Sequence, residues 1–232
     1  MQAVILAAGV GKRLKPLTDD LPKPMVRVNG RPILEYTLSI LPKEIDEVIL
    51  IVGYLKEKII EYFGDSFKGV PIRYVEQKAP LGMSDALNCA KPFLKSGDFL
   101  VMVGDDLYHP DDLRDIIHTD SPAMLVKETN SPEKFGVCVV ENGYLIKTAE
   151  KSLNPPSNLA NIGVYLLNEG IFKVSMVQLP NGEFNLPEQI GLWAQDTKVH
   201  IVEARFWHPI GYPEDVEVAH SLVALPSELR VN

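Results

Sequence analysis

The apolar positions of this chain gather into short solid runs, and the segments between the early runs carry helical spacing. Ala3 to Ala7, Val48 to Val52, Ile72 to Val75, Phe99 to Val103 and Ala123 to Val126 read as strands. Runs this short, with little or no polar alternation, suit strands covered on both faces. Between them, Pro32 opens a helix through Leu41, Leu55 to Phe63 forms a second, and Gly82 to Phe93 holds a third, broken near Pro92. Strand and helix in alternation predict an α/β fold with a mostly parallel central sheet flanked by helices.

The rhythm changes in the second half. Val137 to Val140 and Tyr144 to Thr148 flank Glu141-Asn142-Gly143, and the Asn-Gly pair signals a hairpin. Antiparallel strands are therefore expected beside the parallel core. Ser152 to Ser157 is a polar, proline-bearing loop too short for a domain linker, and Pro213 to Leu225 again has a helical pattern. No internal repeat divides the chain, so residues 1–232 are read as one domain.

The first run leads directly into Gly9 and Gly11, glycines that let the backbone turn sharply and aim N–H groups at an anion. Lys12, Arg13, Lys15 and Lys23 follow, on a segment that Pro16, Pro22 and Pro24 keep out of helix. Such a loop can wrap a polyphosphate. Leu14 stands where the dinucleotide fingerprint needs a third small residue, and Arg13 stands where a P-loop needs Ser or Thr after its lysine.

The cations matter more because the whole chain is acidic. With 232 residues, 46% of them hydrophobic, it can bury a sizeable core, and its formal charge of −8 disfavours nucleic acid or an anionic membrane as main partner. Cys89 and Cys138, the only cysteines, have no metal-ligand spacing and read as two buried free thiols. No basic leader or long apolar stretch is seen, so a soluble cytoplasmic protein is expected, with a homo-oligomer possible.

The opening Leu6 to Met25, LAAGVGKRLKPLTDDLPKPM, resembles the signature of the sugar-1-phosphate nucleotidylyltransferases, which join a nucleoside triphosphate to a sugar-1-phosphate and release pyrophosphate. Further blocks follow in the family's order: Gln77 to Leu87, Val103 to Leu107, Phe135 to Val137, Glu150-Lys151 and Ser157 to Tyr165. The resemblance implies a single Rossmann-like domain, its nucleotide-binding half about 1–128 and its sugar-binding half about 129–232.

It also implies roles. Arg13 would clamp the leaving pyrophosphate and Lys23 would sit between the reactants. Leu6, Ala8, Gly9 and Gly11, with Gln77, Leu81 and Gly82, would line the nucleotide, while Gly136, Glu150, Lys151 and Asn161 would hold the sugar phosphate. Asp105 would ligate Mg²⁺, a hard cation that keeps several waters and few protein ligands. From the residues alone, Asp105-Asp106 also reads as a turn with helix-capping carboxylates before Pro110.

Two departures stand out. The family commonly places a second acidic ligand in a late Trp-x-Asp-x-Gly segment, and this chain has Trp207-His208-Pro209-Ile210-Gly211, so no second ligand is assigned. Met83 and Ser84 replace the threonine and alanine often found in the base block, which leaves the base open. The Pro155 to Ala160 run looks most like glucose-1-phosphate thymidylyl- or uridylyltransferases, with mannose-1-phosphate guanylyltransferase the alternative. A non-catalytic nucleotide or sugar-phosphate binding module is the competing class, with Pro209 its best support.

Overall fold

The computed structural model describes residues 1–223. Nine strands, β1 (Gln2–Leu6), β2 (Glu47–Val52), β3 (Val70–Glu76), β4 (Phe99–Val103), β5 (Ala123–Glu128), β6 (Gly136–Glu141), β7 (Tyr144–Glu150), β8 (Leu159–Leu167) and β9 (His200–Glu203), form the central sheet. With a two-residue edge strand at Ser66–Phe67, the sheet has ten strands in the order β6-β7-β9-β5-β8-β4-β1-β2-β3-edge. Among the described residues, six α-helices surround it: α1 (Ile33–Ser39), α2 (Lys56–Phe63), α3 (Met83–Ala90), α4 (Pro110–Ile117), α5 (Leu186–Trp193) and α6 (Pro213–Val223).

Strand alternation sorts the core into two layers. Ala3, Ile5, Val48, Leu50, Leu100 and Met102 face α1, α2 and α4, whereas Val4, Ile49, Val101, Met124 and Tyr165 face α3 and α5. Because β1 is buried along its whole length, its apolar run needs no polar phase. Ile5 is fully buried, and truncating such a side chain to alanine costs about 2–5 kcal/mol. A smaller cluster of Leu14, Val26, Ile33, Leu107, Ile210 and Val216 fastens α6 and the lysine-bearing loop to the main body.

The sheet is mixed: a parallel core is joined by antiparallel strands from the second half of the chain, and one of these, β8, enters the core itself. β3, β2, β1 and β4 are parallel neighbours, but β8 then runs antiparallel to both β4 and β5. The Ala123 run thus does not pair with the Phe99 run, because β8 arrives from later in the chain and inserts between them. The hairpin is present as β6–β7, antiparallel and irregular at Val139/Val140. The third helix ends at Ala90 and passes into a 3-10 turn at Lys91–Phe93, while α6 is described only to Val223, so the expected end at Leu225 lies outside the described residues.

Of the two thiols only Cys138 is buried; Cys89 is half-exposed on α3, which corrects the expectation of a buried pair. Among the described residues, no helix is long and apolar enough to cross a membrane.

Candidate active site

The parallel strands bring the sequence blocks to one edge. The amide of Ala7 donates to Ile51 O (2.9 Å), that of Gly104 to Leu6 O (3.0 Å) and that of Gln77 to Val52 O (2.8 Å), so the turns after β1, β4 and β3 leave the sheet together. Open α/β sheets bind ligands beyond these carboxyl ends.

Gly11 has φ +69, and a Cβ there would lie 2.8 Å from Lys23 Cβ, so a side chain would prevent the loop from closing over Lys23. Thr18 Oγ1 donates to Gly11 O at 2.8 Å, and buried Leu14 pins the loop below. Lys12, Arg13 and Lys15 remain exposed, and Gly9 has open space where a Cβ would stand. The segment contains two single 3-10 turns, Lys12–Leu14 and Lys23–Met25, but its prolines exclude anything longer. Leu6 is buried and Ala8 is half-buried against Gly53.

Lys23 Nζ meets Asp105 Oδ2 at 2.8 Å and Asp106 Oδ1 at 3.9 Å. Burial alone would lower the lysine pKa, but the two carboxylates outweigh it and hold the ammonium above its ordinary value. Burial pushes the Asp106 carboxyl up, opposed mainly by Lys23. Asp106 also accepts from Trp207 Nε1 and from the Ile210 amide, both at 3.0 Å. Neither aspartate caps α4; His109 occupies that position, accepting from the Asp111 amide.

The 207–211 segment is tied down at its other end by Asp215, whose Oδ2 accepts from the Gly211 and Tyr212 amides at 2.8 Å each. His208 Nε2 bonds Asp215 O, so both groups are engaged within the loop. Arg13 lies over the Tyr212 ring, its guanidinium carbon 5.1 Å from the centroid. Among the described residues, no cluster of three or more His, Cys, Asp or Glu could hold a metal unaided. Asp105, engaged by Lys23 alone among the described residues, is a hard oxygen donor of the kind Mg²⁺ takes.

The next loop contributes Gln77, Leu81 and Gly82. Gln77 is buried, and its Nε2 donates to Gly82 O (3.0 Å) and Asp85 Oδ2 (2.8 Å). Gly82 has φ +97, and a Cβ there would collide with Phe184 O at 2.5 Å, so this glycine is required by the close approach of two backbones. Leu81 is exposed and its carbonyl accepts from the Phe184 amide at 2.7 Å.

Gly136 and Glu150 are register partners across β6 and β7. A Cβ on Gly136 would lie 2.7 Å from Glu150 Oε2, which occupies that space instead. Lys151 Nζ stands 3.5 Å from Glu150 Oε1, and Asn185 Nδ2 donates to Glu150 Oε2 at 3.4 Å. Asn161 marks an irregularity of β8, where its Nδ2 donates to Tyr165 Oη (2.9 Å) and its Oδ1 accepts from the Gly163 amide (3.1 Å).

The model of the family described as "Nucleotidyl transferase" matches residues 2–224. The chain belongs to that family. Among its relatives is the UTP–glucose-1-phosphate uridylyltransferase AglF of Haloferax volcanii, 36% identical over 94% of this chain and 95% of that protein. The bifunctional protein GlmU of Methanococcus maripaludis is 38% identical over 95% of this chain, which spans 54% of that longer protein. The UDP-glucose pyrophosphorylase of Acinetobacter baumanii shares the fold, with a TM-score of 0.83 at 22% identity, covering 97% of this chain and 94% of that one.

In this nucleotidyl transferase, sequence reasoning missed Tyr212, Asp215 as a loop anchor, Asp85 and Asn185. Asp215 carries a local signal, an acid in the first turn of α6 shortly after Pro213 opens the helix. The other three depend on contacts across 199, 8 and 35 residues, which no local pattern reports.

Proposed function

We propose that this nucleotidyl transferase condenses a nucleoside triphosphate with a sugar-1-phosphate, giving a nucleotide sugar and pyrophosphate, with UTP or dTTP and glucose-1-phosphate as the preferred pair. The observation that carries this reading is Lys23, a half-buried ammonium held by Asp105 and Asp106 at the strand ends, with Arg13 near enough to repel it. The full-length match to AglF, named for UTP and glucose-1-phosphate, supports the substrate pair.

The nucleophile needs no general base. A phosphate monoester has its second pKa near ~6, so at neutral pH the sugar phosphate is already mostly a dianion. The barrier is electrostatic, because two polyanions must be brought together and charge must be stabilised on the departing pyrophosphate. Lys23 bridges sugar phosphate and α-phosphate, and Arg13, steadied by Tyr212, takes the leaving group through its planar fork. Losing one such contact commonly costs ~3 kcal/mol of barrier, about 100-fold in rate.

Glu150 accepts from sugar hydroxyls, with Lys151 on the sugar phosphate, the Gly136 amide beside it, and Asn161 shaping the β8 irregularity that borders the pocket. Asp105 would hold Mg²⁺, which when bound supplies charge neutralisation on the phosphates. A matrix of the nucleoside triphosphates against several sugar-1-phosphates, read as pyrophosphate release, tests the reading. Release confined to UTP or dTTP with glucose-1-phosphate is expected, and silence across the matrix would point to a binding module.

A further inference from the structure

Gln77 is pinned at both ends. Its amide donates to Val52 O, and both hydrogens of its side-chain amide are taken, one by Gly82 O and one by Asp85 Oδ2. Both partners are pure acceptors, since a carbonyl and an ionised carboxylate have no hydrogen to give. Turning the amide over would replace two hydrogen bonds with two acceptor–acceptor contacts. The orientation is therefore imposed by the network, and Asp85 is the member that imposes it most strongly, being charged and 2.8 Å away.

With Nε2 committed, the side chain has only Oε1 to offer a ligand, and among the described residues no protein donor takes that atom. Gly82 is restricted in the complementary sense. Its carbonyl already accepts from Gln77 Nε2 and from the Ala86 amide at 3.1 Å, so its remaining backbone group is a donor. The loop thus displays one acceptor and one donor side by side.

We propose that Asp85 determines base choice by fixing the Gln77 carbonyl toward the ligand, so that the site selects a pyrimidine carrying hydrogen on N3, uracil or thymine, over cytosine. This deepens the proposed function and rests on its assignment of the 77–82 loop to the base. The imide of uracil or thymine presents N3–H between two carbonyls, which satisfies Oε1 and the Gly82 amide at once. Cytosine in the same pose turns a bare N3 lone pair on Oε1. It can meet the loop only by sliding until its amino group reaches that oxygen.

Asp85→Asn is the test, because it is isosteric and frees Gln77 to turn, an asparagine amide being able either to donate or to accept. Binding of UTP and of CTP to the full chain, wild type and D85N, gives a ratio for each protein. The wild type is expected to prefer UTP at least about tenfold, since sites built around a ligand N–H reject analogues lacking it. In D85N the preference is expected to shrink about tenfold, with KM for UTP rising while kcat changes little and melting stays within a few degrees. Asp85→Glu, which restores the carboxylate, is expected to recover part of the preference.

A wild type without preference for UTP over CTP overturns the inference, as does a folded D85N that keeps the wild-type ratio within about twofold. The two readings fail separately. A shifted base ratio in a protein that releases no pyrophosphate from any pair removes the transferase and leaves Asp85 its role; an active D85N enzyme with unchanged preference does the reverse.

Discussion

Lys23 Nζ and Asp105 Oδ2 are 2.8 Å apart, and the same ammonium is 3.9 Å from Asp106, so one cation serves two adjacent carboxylates of different employment. Asp106 is spent on Trp207 and Ile210. Asp105 is engaged by Lys23 alone among the described residues, which suits the ligand role proposed for it.

Replacing Lys23 with alanine is expected to lower kcat by about 100-fold or more, the usual effect of deleting a preorganised charge at a reacting phosphate. The variant should remain folded, with a lower melting temperature because Asp105 and Asp106 then face each other uncompensated. Pyrophosphate release measured well below that melting point checks it. Near-normal turnover would defeat the mechanism.

Removal of divalent cations with a chelator is expected to stop turnover, and added Mg²⁺ to restore it, despite Pro209. Asp105→Asn should raise the Mg²⁺ concentration needed for half-maximal rate by about tenfold, because a neutral amide is a poorer ligand for a hard cation. A full rate in chelator sinks the assignment of Asp105.

Gly136→Ala separates the two substrates. Its Cβ would enter the space of Glu150 Oε2, 2.7 Å away, and push that carboxylate off its position beside Lys151. KM for the sugar phosphate is expected to rise about tenfold, one displaced polar contact's worth, while KM for the nucleotide holds. Equal changes in both would mean that the strand pair itself has been distorted.

Part of this was legible in the sequence. β1, β2 and β4 are solid apolar runs because helices cover both faces, and that signal is local; β3, where Ile72 alone is buried, departs from the expectation of a strand covered on both faces. β8 was not read as a strand, since Asn161 and Gly163 interrupt its apolar pattern where the chain kinks, with φ +76 at Gly163. Missing β8 made the sheet look mostly parallel, for β5 does run in the direction of β4 but pairs with a strand from later in the chain. Arg13 and Lys23 were readable as a spaced cationic motif. Tyr212, which steadies Arg13, was not, because the pairing joins opposite ends of the chain.

Glu47 supplies a pH test away from the site. Burial works to raise its pKa, but hydrogen bonds from Lys95, Arg73 and Gln2 outweigh this and hold it below the ordinary 4.5. A carboxyl lowered by folding adds stability above its unfolded pKa and loses it as pH falls through the folded value. Glu47→Gln should therefore cost about 1 kcal/mol at pH 7, as expected for a partly buried charged network. The gap between the two melting temperatures should close as pH falls below that of the unfolded carboxyl. A gap that persists in acid would assign the cost to packing.

The two hydrogen bonds by which Asp106 holds Trp207 and Ile210 have a mechanical consequence. They make the 207–210 segment a standing wall beside the turn after β4, fixed by hydrogen bonds within the chain instead of by an exchangeable ion. Depletion of divalent cations should stop turnover while leaving this wall assembled. Proline at 209 is compatible with such a wall, since it stiffens a backbone whose position is already decided.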